Sequence, residues 1–123
     1  MENNVRNGKV TVLMRKMAIP QHIQGWKYVE EAVYMAIEEP KILNGITRYL
    51  YPELAKKFDT TSSRVERSIR HAIEHVMRYA PLRVLKAVFG NTIPDGYKIT
   101  NSHLIAAMAQ VISEEPDNPV WEM

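Results

Sequence analysis

Residues 50–79 read LYPELAKKFDTTSSRVERSIRHAIEHVMRY. The stretch divides into a helix, a tight polar turn and a second, longer helix. On a helical wheel of about 100° per residue, Val65, Ile69, Ala72, Ile73 and Val76 fall on one face, the spacing of a buried stripe. Arg64, Arg67, His71, Glu74 and Arg78 fall on the opposite face, and Glu66 and Arg70 lie on a shoulder between them. The turn, Asp59-Thr60-Thr61-Ser62-Ser63, follows the apolar Phe58. Its side chains are of the kind that accept hydrogen bonds from the free N–H groups at a helix start. Ser63 and Glu66 fit the S-x-x-E capping box, and Thr61 is an equally good cap.

A helix anchored by branched apolar residues, with arginines outward near its N-terminal end, is what the second helix of a helix-turn-helix requires. Its first turns enter the major groove, where arginine donates two hydrogen bonds to a guanine edge. The hydroxyls and free N–H groups of the turn can hold phosphate. A solvated amphipathic helix carries the same pattern, so the periodicity alone leaves both readings open.

The flanking sequence continues the helical theme. Lys9 to Ile19 places Val10, Leu13, Met14 and Met17 at helical spacing and is stopped by Pro20. Gln21 to Gly25 reads as a connector. Trp26 to Glu39 forms a second predicted helix, with Trp26, Val29, Val33, Ala36 and Ile37 inward and Pro40 at its end. Ile42 to Phe58 is a third helical stretch, with Leu43, Ile46, Leu50, Leu54 and Phe58 inward. Pro52 either kinks it or starts a new helix. After the long fourth helix comes a short fifth, Leu82 to Phe89, which follows Pro81, an acceptable first helical residue, and is ended by Gly90. Asn91 to Lys98 is a predicted loop. Thr100 or Ser102 caps a sixth helix, Ser102 to Ser113, with Leu104, Ile105, Met108, Ala109 and Ile112 apolar. No convincing alternating strand occurs, so the expected class is all-α. One domain over residues 9–113 is expected, with flexible termini at 1–8 and 114–123.

The bounds agree. The chain has 123 residues, 46% of them apolar, enough for a single core. No apolar run approaches the roughly 20 residues that span a membrane, and Met1 to Gly8 lacks the apolar centre of a signal peptide. There is no cysteine, which removes disulfides and thiolate metal sites and fits a cytoplasmic setting. Net charge is only +2, but it is unevenly spread. Residues 41–100 hold 11 Lys and Arg against 5 Asp and Glu. The remainder is acidic, chiefly in the Glu30–Glu39 helix and the C-terminal tail. Such asymmetry suggests one nucleic-acid face and another turned elsewhere.

Over about Val10 to Ile112 the chain resembles the C-terminal DNA-binding effector domain of the stage-zero sporulation response regulator, the master sporulation transcription factor of endospore-forming bacteria. The resemblance rests on Ile19-Pro20-x-His22-Ile23-x-Gly25, Ile46-Thr47, Leu50-Tyr51-Pro52 and Ala55-Lys56-Lys57-Phe58. It also rests on the long run from Thr60 to Glu74 and on Thr100-Asn101-Ser102 with Ile105-Ala106. It implies a compact six-helix domain and promoter binding at a short operator repeat, often as tandem head-to-tail copies. It also implies action through RNA polymerase and its sigma factor. By position, Arg64, Glu66 and Arg67 should face base edges; Lys56, Thr61, Ser62, Ser63, Arg70 and His71 are candidates for backbone or neighbouring contacts. Arginine suits guanine and glutamate can accept from cytosine N4. From the shoulder of the wheel, Glu66 could instead cap the helix or orient an arginine. The sigma-linked segment of the family maps to Leu82–Ile93, where the residues depart from the family pattern. Family members normally carry an N-terminal receiver domain, for which this chain has no room. It reads as a cut effector domain or a free-standing one.

Other motifs carry less. His71-Ala72-Ile73-Glu74-His75 matches H-x-x-E-H, but a zinc site needs a third ligand and an open water position. His22 and His103 suit capping or solvent contact, Trp26 suits the core or a surface anchor, and the seven methionines suit core filling. No phosphate-binding glycine loop or nucleophile constellation appears, so neither enzyme activity nor a cofactor or metal is expected. Two functions from different classes remain. One is a sequence-specific regulator binding double-stranded DNA, as a homodimer on tandem repeats. The other is an interaction module, or a competitor, that binds polymerase, sigma factor or a full-length regulator.

Overall fold

The computed structural model describes residues 2–90 and 98–114, with side chains from Gly8 onward. Among these residues the structure is all-helical. Six α-helices run in order: α1 (Glu2–Lys16), α2 (Gln24–Glu38), α3 (Tyr51–Lys57), α4 (Ser62–Tyr79), α5 (Leu82–Phe89) and α6 (Asn101–Glu114). A 3₁₀ segment, Pro40–Gly45, and a single π turn, Ile46–Leu50, join α2 to α3. The expected loop over Asn91–Lys98, apart from Lys98, and the expected tail beyond Glu114 lie outside the described residues. No described helix is long and apolar enough to cross a membrane.

The core forms where the apolar spacing placed it. Val10, Leu13, Met14 and Met17 are fully buried, as are Val65, Ile69, Ala72 and Val76, with Ile73 nearly so. Each large aliphatic side chain removed from water contributes roughly 1.5–3 kcal/mol. Helix α2 packs against α1, α4 and α6; α4 also packs against α3 and α6, and α5 against α6. Trp26, Tyr28, Val29, Ala32, Val33 and Ala36 supply the buried side of α2.

Several helix boundaries differ from those expected. Helix α1 reaches back to Glu2, through polar residues that an apolar repeat cannot register, and it stops at Lys16. Ala18 adopts φ 64°, the amide of Ile19 reaches the carbonyl of Met14 at 3.1 Å, and that of Ala18 reaches Arg15 at 3.0 Å. This is a Schellman ending, with Ile19 and Met14 both buried beneath it. Helix α2 begins at Gln24, so Gly25 lies inside it. The stretch from Ile42 is not one helix. The Tyr51 amide reaches back to the Ile46 carbonyl in a π turn, and Pro52, with no N–H to donate, stands in the first turn of a new helix. Helix α5 keeps the expected bounds, Leu82–Phe89, with Pro81 as its N-cap. Helix α6 starts at Asn101, and of the two candidate caps it uses Thr100, whose hydroxyl accepts from the His103 amide at 3.1 Å.

Candidate nucleic-acid interface

Helices α3 and α4 are joined by Phe58–Thr61. Helix α3 closes with a second Schellman ending: the Thr60 amide donates to Ala55 O at 2.8 Å and the Asp59 amide to Lys56 O at 3.4 Å. Asp59 takes the left-handed position, φ 52°, which glycine more often fills. The chain then turns extended at Thr61, whose Oγ1 accepts from the Arg64 amide at 3.2 Å. Of the two caps the sequence offered for α4, the structure uses Thr61, and Ser63 is the second helical residue. The end of α3 is fixed to α2. Phe58 meets Tyr28 edge to face at 5.4 Å, the Lys27 ammonium lies 5.4 Å from the Phe58 ring centroid, and Lys57 pairs with Glu31.

Because the stripe from Val65 to Val76 is buried, the opposite face of α4 is turned outward. Arg64, Arg67, Arg70, His71 and Glu74 are exposed, and Glu66 is half-buried. The Glu66 carboxylate lies 3.2 Å from the Arg70 guanidinium, one turn along. A pair this exposed contributes only about 0.2–0.5 kcal/mol, so its consequence is where it points Arg70. The His71 ring stands edge to face on His75 at 5.0 Å, and His75 leans on Tyr79 at 6.2 Å.

Two clefts flank the first turns of α4. One, of about 560 Å³, includes Thr47, Ser62, Ser63, Glu66, Arg70 and Thr100 in its walls. The other, of about 380 Å³, includes Gln24, Asp59, Thr60, Arg64, Arg67 and Ser68. The structure thus gathers Ser62, Ser63, Glu66 and Arg70 on one side, and Arg64 and Arg67 on the other. Lys56 is exposed in the last turn of α3, and Thr61 is exposed at the turn.

Three supports of this face were not foreseen. Gly25 of α2 backs directly onto α4: a Cβ there would stand 2.4 Å from the Ser68 carbonyl oxygen and 3.0 Å from the Ala72 Cβ. The Asn101 side-chain amide donates to the Tyr51 hydroxyl at 2.9 Å and to the Glu66 carbonyl at 3.0 Å. Gln24 and Thr47 complete the cleft walls from distant parts of the chain. A glycine at the start of α2 was a visible signal, read as a connector; nothing local to Asn101 marks its partners.

Residues 10–112 match the family described as the C-terminal region of the sporulation initiation factor Spo0A. The chain belongs to this family. The match runs from Val10, buried in α1, to Ile112, buried in α6, so it takes in α3, α4 and the elements packed against them. Membership makes the chain a Spo0A-type effector domain, of the DNA-binding, transcription-regulating kind that the run from Thr60 to Glu74 led us to expect.

The remaining motifs can be placed on the Spo0A-type domain. Among the described residues no three His, Asp or Glu side chains converge to hold a metal ion, around His71-x-x-Glu74-His75 or elsewhere. Trp26 is buried in the core rather than on the surface. Of the segment Leu82–Ile93, α5 begins with Leu82, which is 65% exposed; Asn91–Ile93 lie outside the described residues.

Proposed function

We propose that this Spo0A-type domain is a sequence-specific transcription regulator that reads a promoter operator in the major groove with α4. The observation that carries the proposal is the two-sidedness of that helix: five core residues behind, and Arg64, Arg67 and Arg70 exposed over its first turns. Arg64 and Arg67 donate to guanine edges. Glu66 accepts from cytosine N4, or through its pair with Arg70 directs that guanidinium. Lys56, Ser62, Ser63, Arg70 and His71 hold the sugar–phosphate backbone on either side. Thr61 does both jobs, since its oxygen accepts from Arg64 while its O–H remains a donor to phosphate. Two copies lie head to tail on tandem repeats, and the α5 end faces the polymerase sigma factor. The work is done in the cytoplasm, and no catalytic role, cofactor or metal is assigned.

The test is fluorescence anisotropy with a labelled family-type operator and a scrambled control, across a salt series. Specific reading gives a preference of about a thousandfold or more, on top of a salt slope of about −0.9 per neutralised phosphate. Arg67→Ala is expected to cost about 1–3 kcal/mol on the operator and to relax specificity. An Arg67→Ala protein that binds like wild type would remove this face from the interface.

A further inference from the structure

We infer that Asn101 is the positioning residue that holds the angle between the two helices of the helix-turn-helix; the inference rests on the operator-reading function proposed above. Asn101 is the first residue of α6, fixed in place by the Thr100 cap beside it. Its side-chain amide has two N–H bonds, and both are used. One goes to the hydroxyl of Tyr51, the first residue of α3, at 2.9 Å. The other goes to the backbone carbonyl of Glu66, in the base-facing turns of α4, at 3.0 Å. A helical carbonyl has a second lone pair beyond the one used in its own ladder, so the bond to Glu66 O leaves α4 intact.

The hydrogen bonds of Asn101 thus tie α3 and α4 to the same point of a third helix. Tyr51 is 4% exposed, so its ring is locked in the core and cannot follow a shift of Asn101. Tyr51, Glu66 and Asn101 all line the larger of the two clefts, together with Ser62, Ser63 and Arg70. Loss of the amide leaves the buried apolar faces of α3 and α4 in place but releases the turn of α4 that carries Glu66 and Arg67. Contacts to phosphate tolerate a small rotation of that turn, because they are long and strongly electrostatic. Paired contacts to a base edge do not. The residue therefore governs discrimination more than attachment.

The experiment compares wild type, Asn101→Ala, Asn101→Asp and Tyr51→Phe for binding to operator and scrambled fragments, with circular dichroism confirming the fold of each. Asn101→Asp keeps the shape but turns a carboxylate oxygen on the Glu66 carbonyl. Tyr51→Phe keeps the bond to α4 and removes the bond to α3. Expected is a loss of operator preference of about tenfold for both Asn101 variants and a smaller loss for Tyr51→Phe. Scrambled-fragment affinity and salt slope should be unchanged. If the folded Asn101 variants melt at lower temperature yet keep the full preference of wild type, Asn101 is structural only and the inference fails. If wild type itself shows no preference, the operator-reading function fails, and this role with it.

Discussion

Two residues without glycine's freedom end two helices in the left-handed region. Ala18, at φ 64°, has no side-chain group to offset the cost, which is about 1–2 kcal/mol for an L residue. Ala18→Gly should stabilise the fold by up to about 1 kcal/mol after the extra chain entropy of glycine is subtracted, seen as a higher urea midpoint at constant slope. Asp59 is a better occupant, because Asp and Asn visit this region more readily, and Asp59→Ala should cost about 1 kcal/mol. An Ala18→Gly protein no more stable than wild type would show that the turn relaxes. Neither position was legible in the sequence, since the usual mark of such an ending is the glycine that is missing. Tyr34 carries a different strain. Burial, and then the neighbouring Glu30 and Glu31 carboxylates, push its phenol up to about 12 from 10.0. The neutral phenol is favoured in the fold, so its contribution is whole below the unfolded pKa and is lost as pH rises from about 10 through about 12. Urea unfolding at about pH 9 and about pH 11 should show a smaller alkaline loss for Tyr34→Phe than for wild type; equal losses would place the effect elsewhere.

At the scale of elements, the crossing of α2 and α4 has almost no tolerance. Gly25→Ala would put a methyl 2.4 Å from a backbone oxygen, and forcing the helices apart costs typically about 1–3 kcal/mol. The variant should melt earlier and lose operator preference, because the displaced segment carries Arg67; a wild-type melt would mean the helices part freely. The legibility of the elements follows their physics. The stripe of α4 was readable because all five of its buried residues obey one local period. The break at Pro52 was readable only as a choice, since its outcome depends on a π turn that packing selects. The Asn101 tie spans 50 residues to Tyr51 and 35 to Glu66, beyond the reach of any local pattern. The candidate site was legible as a set of residues on one helix, but its division into two clefts needed α2 and α6 in place.

For the whole molecule, charge is divided along the chain between a basic segment, 41–100, and an acidic remainder. The end of α4 and the start of α5 leave Met77, Tyr79 and Leu82 exposed. If α5 faces the sigma factor, Leu82→Ala should leave operator affinity unchanged and lower transcription by purified polymerase from an operator-bearing template. Unchanged transcription would move that contact off α5. One buried residue gives the molecule a further property. Trp26 follows Gly25 directly and is only 6% exposed, so it is the next residue along α2 from the point where that helix bears on α4. Its emission is expected to report on the packing of α2 around that contact, with no attached dye needed once Trp121 is replaced.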